Sequence, residues 1–230
     1  MKISDLTLII PILNEQDELP KLFKRLNIYH SDFRIIFCDA GSKDNSLSLL
    51  TNFCQNNPNT TLLTEKMEKP SILKTILLAQ DKILTEYTLI HPVDISIDQL
   101  DLLITSNFDY MVFFKKYESN KLFFKIQALF LNWIDLNIKH NFVWTNALTL
   151  RTALLKELKL FKIGFLEDVV ISDHLKKNYQ IKINRSKVSI STRRYLKTGI
   201  FIQFIRNFKI IIKFRFGNKD IDELKRTYHK

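Results

Sequence analysis

The feature that most constrains this chain is the alternation in its first ninety residues. Four apolar runs short enough to be buried strands lie at Leu6 to Ile12, Arg34 to Cys38, Thr60 to Thr64 and Tyr87 to His91. Between them, apolar residues recur every three or four positions, as on one face of a helix. Leu19, Leu22, Phe23 and Leu26 form the first such face, and Leu47, Leu50 and Cys54 the second. Ile72, Ile76, Ala79 and Ile83 form the third, in a helix expected over Ser71 to Leu84. Strand–helix three times and then a strand implies parallel strands joined by right-handed crossovers. The acids of Asn14 to Glu18 suit the first turn of a helix, and Ser42 or Asp44 is expected to cap the next one. Pro92 stops the fourth strand.

The second half is less regular. Strands are expected at Tyr110 to Phe114, Asn146 to Leu150 and Ile181 to Ile190. Helices are expected at Leu122 to Ile138, Thr152 to Leu160, Leu166 to Lys177 and Ile200 to Phe216. With only 4 Gly and 5 Pro in 230 residues, no flexible linker divides the halves, and residues 1–230 read as one domain with two lobes. Two cysteines, Cys38 and Cys54, are too few for a disulfide framework and read as buried free thiols in a reducing compartment. The opening MKISDLTLIIPILNE has no signal-peptide pattern, and no window is long and uncharged enough for a membrane span. The formal net charge of +11 is either a solubilising surface or a match to an anionic partner.

In open parallel sheets, ligands bind beyond the carboxyl ends of the strands. Here those ends carry Pro11 and Asn14-Glu15, then Asp39-Ala40-Gly41-Ser42, then His91-Pro92-Val93-Asp94. A carboxylate at such an end can accept hydrogen bonds from ribose hydroxyls or a base N–H. Gly41 permits a close backbone approach or a positive φ. Equally, Asp39 reads as a turn former and Ser42 as a helix cap.

Taken in order, these stretches resemble the family 2 glycosyltransferases, and within them a small bacterial single-domain subgroup. TLIIPILNEQDELPKLFKRL is similar to their opening strand, Pro-x-x-Asn-Glu and helix; IIFCDAGSKDNSLSLL to their second strand and its Asp-Gly-Gly-Ser turn. IHPVDIS falls at their metal-binding aspartates, GFLEDVVISDHLKK at the Glu-Asp helix that supplies the base, and STRRYLKTGIFIQFIRNF at the tail of the subgroup. The resemblance implies a GT-A fold: an α/β architecture with a mostly parallel central sheet, helices on both faces, and a C-terminal amphipathic helix. It implies a nucleotide-sugar-binding half over residues 1–98, an acceptor-binding half over 99–190, and a basic amphipathic segment over 191–230.

It further implies an inverting transfer of a sugar from a nucleotide-diphosphate donor to an acceptor hydroxyl. Pro11, Asn14, Glu15, Asp39 and Gly41 are the expected donor-binding residues. Asp94 is the expected ligand of Mg2+ or Mn2+, hard cations suited to oxygen ligands. Asp168 is the expected general base, with Glu167 beside it. Arg193 and Arg194 are candidates for holding the leaving diphosphate, because guanidinium pairs well with phosphate.

Three stretches depart from the family pattern. The metal stretch keeps a single aspartate, Asp94; a Gly-Arg-x-x-Gln stretch is replaced by Lys69-Pro70-Ser71-Ile72-Leu73-Lys74, leaving Lys74 as the candidate cation; and a Gly-Asp pair is replaced by Thr145-Asn146. Two outcomes therefore stay open, an active enzyme and a GT-A-like protein that binds a nucleotide, membrane or protein partner without turnover. His91 reads as structural rather than as a ligand, and His174 as solvent-facing. Trp133 reads as core, and Trp144 as either core or a sugar platform.

In the last helix, Gln203, Arg206, Asn207, Lys209 and Lys213 are expected on one side and Phe201, Phe204, Ile205, Phe208, Ile211 and Ile212 on the other. Such a helix lies either in an anionic membrane interface or on the protein's own core with its lysines in water. The membrane alternative suits a lipid or lipid-linked acceptor at the inner face of the membrane of a cytoplasmic protein. No nucleic-acid-binding motif accompanies the charge, and the acidic strand ends oppose such a partner.

Overall fold

A computed structural model of the chain describes residues 5–26, 34–97, 108–161 and 164–216. The strands are β1 (Leu6–Ile12), β2 (Arg34–Asp39), β3 (Thr60–Thr64), β4 (Tyr87–Ile90), β5 (Ile95–Ile97), β6 (Tyr110–Tyr117), β7 (Thr149–Arg151) and β8 (Ile181–Ile190). The helices are α1 (Leu19–Leu26), α2 (Ser46–Gln55), α3 (Ile72–Leu77), α4 (Leu122–Phe130), α5 (Thr152–Leu158), α6 (Glu167–Asn178), α7 (Arg193–Thr198) and α8 (Ile200–Phe216).

The strands form one eight-stranded sheet in the order β3-β2-β1-β4-β7-β6-β8-β5. β1, β2, β3 and β4 pair in parallel, as the alternation predicts. β7 runs antiparallel between β4 and β6, so β6 points the same way as β4; β8 follows β6 in parallel, and β5 closes the edge antiparallel to β8. The exits of β1, β2, β4, β6 and β8 and the entries of β5 and β7 therefore share one edge. The core lies on both faces of the sheet. Leu8, Ile10, Phe37 and Phe113 belong to one buried cluster, and Ile9, Cys38, Val112 and Leu150 to the other. This is the period-two alternation of strands covered on both sides.

Several elements differ from the sequence expectation. The third helix ends at Leu77, and Gln80–Lys82 form a 3-10 turn. Residues Asn14–Glu18 make turns, and α1 begins only at Leu19. The cap of α2 is Asn45, not Ser42 or Asp44, although Asp44 Oδ1 accepts from Ser46 N at 3.0 Å. The expected helix over 122–138 is α4 followed by a π-helix, Leu131–Ile138. The expected strand at 146–150 begins at Thr149, after a 3-10 turn at Trp144–Asn146. Within the π-helix Asn132 and Leu136 are buried, whereas Trp133 is 67% exposed. Trp133 is therefore not a core residue, and Trp144, buried at 6% exposure, is one. Cys38 is buried and Cys54 half-buried, both free; burial pushes the Cys38 thiol up to about 12.

Candidate active site

The first wall of the site is built by stapling the β1 exit to the β2 exit. Ser42 Oγ accepts from Asn14 N at 2.9 Å, and Asn14 Oδ1 accepts from Lys43 N at 2.8 Å. Ser46 Oγ accepts from Glu15 N at 2.8 Å, and Gln16 Oε1 accepts from Asn45 N at 2.9 Å. Asn14 sits at φ 55°, a conformation that asparagine tolerates better than most residues. Asp39 is buried at the end of β2. Its Oδ2 accepts from Gly41 N and Ser42 N, each at 3.0 Å, and its Oδ1 bonds the Ser42 hydroxyl. Gly41 has φ 93°, and a Cβ there would stand 3.0 Å from Lys66 Cα. Glycine is required at this turn on both counts. Pro11 lies past Ile9↔Ile90, where the β1–β4 ladder ends, so its missing N–H costs no ladder bond.

The second wall comes from β4 and β8. Asp94 follows the β4 exit, and its backbone oxygen accepts from Ser191 N at 2.9 Å. Past Ser191 and Thr192, α7 brings Arg193 back to the first wall. Its guanidinium grips Glu15 with both arms, at 2.6 and 2.9 Å, and reaches Glu18 at 4.0 Å. The Glu15 hydrogen bond, ahead of its charge and those of Asp94 and Glu18, holds the Arg193 proton more tightly than usual. Arg194 is exposed on the same helix. His91 is buried, and its burial together with the charge of Arg25 pushes its pKa down to about 4. It is a neutral structural histidine.

The third wall is the start of α6, entered through Leu166 at φ 55°. Glu167 is buried, and its Oε2 accepts from Leu73 N at 2.9 Å, tying α6 to the first turn of α3. Burial pushes its carboxyl up, against the lowering effect of Ser71, Leu73 N and Lys74. Lys74 lies at that junction, with Nζ 3.4 Å from Lys69 O. Asp168 is half-buried. Burial raises its pKa, while the backbone N–H groups of Val169 and Trp144 and the charge of Lys115 favour its ionised form.

Lys115 has no counterpart in the sequence reading. It is a buried cation near the end of β6, and its backbone N–H and C=O are both bonded by the Asn132 amide, at 2.9 and 2.8 Å. The sequence clue is a lysine in register with a buried strand face, in a strand that continues past Phe114. Asn146, where the family resemblance led to an expected aspartate, has both ends of its amide in use: Oδ1 accepts from Val143 N at 3.0 Å and Nδ2 donates to Phe113 O at 2.8 Å. His174 is half-buried rather than solvent-facing, with Nε2 3.4 Å from Glu157.

Among the described residues, no three histidine, cysteine or acidic side chains gather as a metal site. Asp94 is a single carboxylate on the shared edge. That fits Mg2+ or Mn2+ arriving with a diphosphate, since such ions are ordinarily held by one or two carboxylates plus phosphate oxygens.

The fold that carries this sheet edge is shared with known proteins. Residues 7–69 match the profile of glycosyl transferase family 2. The S. aureus TarS crystal structure superposes with a TM-score of 0.64 at 15% identity, covering 99% of this chain and 42% of that one. TarS 1–349 in complex with UDP-GlcNAc gives 0.64 at 16% identity, covering 99% of this chain and 70% of that one. The mannosyltransferase PcManGT from Pyrobaculum calidifontis, in complex with GDP-Man and Mn2+, gives 0.64 at 13% identity, covering 98% and 68%. This chain thus spans less than half of the TarS chain in the first of these structures. No curated protein matches the sequence. At these identities the likeness is one of fold, and the fold is the GT-A fold of glycosyltransferases. The resemblance to family 2 is borne out by the match at residues 7–69 and by the fold of the whole chain.

Proposed function

We propose that the protein is a glycosyltransferase that moves a sugar from a nucleotide-diphosphate donor to an acceptor hydroxyl with inversion. The observation that carries this reading is that Asn14, Glu15, Asp39 and Asp94 follow strand exits on one edge of a GT-A sheet, with Asp168 close to Lys115 of β6 and to Trp144. The nucleoside lies against the β1 and β2 exits, with the Asp39 turn and Gly41 giving its base and ribose a close approach. The diphosphate lies between Asp94 and α7, where Arg193 and Arg194 supply positive charge, with Lys74 as a further candidate cation at the α3–α6 junction. A divalent cation on Asp94, when bound, neutralises the leaving diphosphate. Asp168 takes the proton of the acceptor hydroxyl as that oxygen attacks the anomeric carbon. A carboxyl raised toward working pH is a better proton acceptor at that step. The N–H groups of Val169 and Trp144 and the charge of Lys115 favour its ionised form against the burial that raises it. A lipid or lipid-linked acceptor at the inner face of a membrane is the class that the outward apolar residues of α8 suit, and the acceptor's identity is left open.

The second reading is a GT-A-like protein that binds its nucleotide, a membrane or a protein partner without turnover. What favours it is that Asp39 already accepts three hydrogen bonds within its own turn and Arg193 is held by Glu15. A thermal-shift panel of nucleoside diphosphates and nucleotide-sugars, with and without Mn2+, separates the readings. Ligand bound by the native state raises the melting temperature. One nucleotide should stabilise the protein more strongly with Mn2+, and Asp39→Ala and Asp94→Ala should lose the shift. Stabilisation unaffected by chelator, with no turnover, supports the second reading.

A further inference from the structure

Helix α8 is oriented opposite to what a helix docked on its own core requires. Among its described side chains, the buried ones are Ile210 and a glutamine, Gln203, which is 3% exposed. Asn207 is half-buried beside Gln203, with Gln203 Nε2 donating to Asn207 Oδ1 at 2.9 Å. The aromatic and aliphatic residues face outward: Phe201 is 72% and Phe208 58% exposed, and Phe204, Ile205 and Ile212 are also exposed. A helix covering only its own protein would bury that apolar arc.

The arc continues onto a second helix. Phe123 at the edge of α4 touches Phe201 and Phe204, each with ring centroids 5.8 Å apart. Beside it Leu122, Ile126, Leu129, Phe130 and Trp133 form an exposed stripe. The two helices are bracketed by α7, where the Tyr195 hydroxyl accepts from Gln127 Nε2 at 2.9 Å and lies 3.5 Å from Asn207 Nδ2. The bracket is polar and inside, and the apolar surface is outside.

The charge on α4, α7 and α8 has one sign, and the π-helix adds a single aspartate, Asp135, to the sequence of the surface. α4, α7 and α8 contain no acidic residue, and Lys125, Lys197 and Lys209 are exposed beside the apolar residues. A second copy of the chain would bring the same lysines against each other, whereas an anionic bilayer offers hydrocarbon for the rings and phosphate for the lysines. Among the described residues no helix is long and apolar enough to cross a membrane. We propose that α4, its π-helical extension and α8 together form a monotopic docking surface that inserts into anionic lipid. The same α7 that brackets this surface grips the donor loop through Arg193, so a docked protein holds its active edge at a fixed place relative to the lipid. This deepens the membrane reading of the proposed function, but its test uses no donor and no turnover.

The test is vesicle binding by the full chain, followed by tryptophan emission. Trp144 is buried, so Trp133 reports on the α4 side of the surface. Phosphatidylcholine vesicles containing phosphatidylglycerol should bind the protein and shift its emission to the blue. Pure phosphatidylcholine should bind more weakly. Trp133→Phe should abolish the shift while most binding remains. Phe201→Ser with Phe208→Ser should weaken binding about a hundredfold, on the order of tenfold for each ring withdrawn from lipid. Lys125→Gln with Lys209→Gln should weaken it about thirtyfold, at ~1 kcal/mol per lysine. Binding without a Trp133 shift would overturn the two-helix surface and leave only a basic tail. A dimer in sedimentation that fails to bind vesicles would assign the surface to a second copy. A monomer with no binding to either vesicle would also overturn the proposal, and none of these outcomes bears on nucleotide binding.

Discussion

Two of the walls, the first (the proposed donor wall) and the third together with the ends of β6 and β7 (the proposed acceptor wall), are held by different means. On the donor side, backbone N–H groups of one loop are bonded by side chains of the other, and most of these contacts lie near solvent. On the side of β6, β7 and α6, a few buried polar groups carry the geometry: Asn132 holds Lys115, Asn146 joins Val143 to Phe113, and Glu167 caps α3. Near solvent, water replaces a lost partner. In the interior nothing does, so an unpaired group carries its full desolvation cost. The donor wall should tolerate change in stability and lose ligand, and the acceptor wall should lose stability first.

The largest effect expected is from Asn146→Ala. It strands a backbone N–H and a backbone C=O in a buried place, and urea unfolding should show a loss of about 3 kcal/mol. Asn14→Ala on the donor wall should cost no more than about 1 kcal/mol by the same measurement. Equal losses would break the comparison. Gly41→Ala comes next, at about 2 kcal/mol, because the backbone there is at positive φ and Lys66 Cα lies in the way.

Asp168→Asn sharpens the contrast by stabilising. The folded pKa of Asp168 is raised, so the native state binds more protons than the unfolded state between the two pKa values. The stabilising contribution is complete below the ordinary aspartate range and is lost as pH rises through the raised value. The variant should therefore melt higher than the parent near pH 7, and the difference should vanish in acid. A melting temperature that falls at pH 7 would show that the Lys115 pairing outweighs burial. The smallest stability effect is from Arg193→Ala, within about 1 kcal/mol because the pair is partly exposed. Its nucleotide binding should nevertheless weaken measurably in titration calorimetry.

The donor wall was legible in the sequence because its information is local. Strand, turn residues and helix face follow one another within about twenty residues, as in IIFCDAGSKDNSLSLL, and period-two and period-3.6 patterns identify them. The acceptor wall was less legible because it depends on distant partners. Lys115 looks like the polar end of a strand until Asp168 and Asn132 are brought beside it. Trp133 left its expected place in the core because the π-helix turns a different residue inward from the one that an α-helical period implies, while Trp144, left open between core and sugar platform, is core. β5 escaped notice because three residues directly after Pro92-Val93-Asp94 are too short to show alternation. For α8 the amphipathic division was readable, but which side faces the protein was not. The buried Gln203 is paired with Asn207, and the polar bracket around Tyr195 comes from α4 and α7.

The most direct test of the account is to follow sugar release from the donor that gives the largest thermal shift, in parent protein and in Asp168→Asn. The account predicts that the parent hydrolyses or transfers the sugar in the presence of Mn2+, and that the variant binds the same nucleotide with unchanged affinity but turns over at least a hundredfold more slowly, the order expected for loss of a general base. Equal turnover in the two proteins would contradict the assignment of Asp168. Tight nucleotide binding with no turnover in the parent would make the sheet edge a binding site without chemistry.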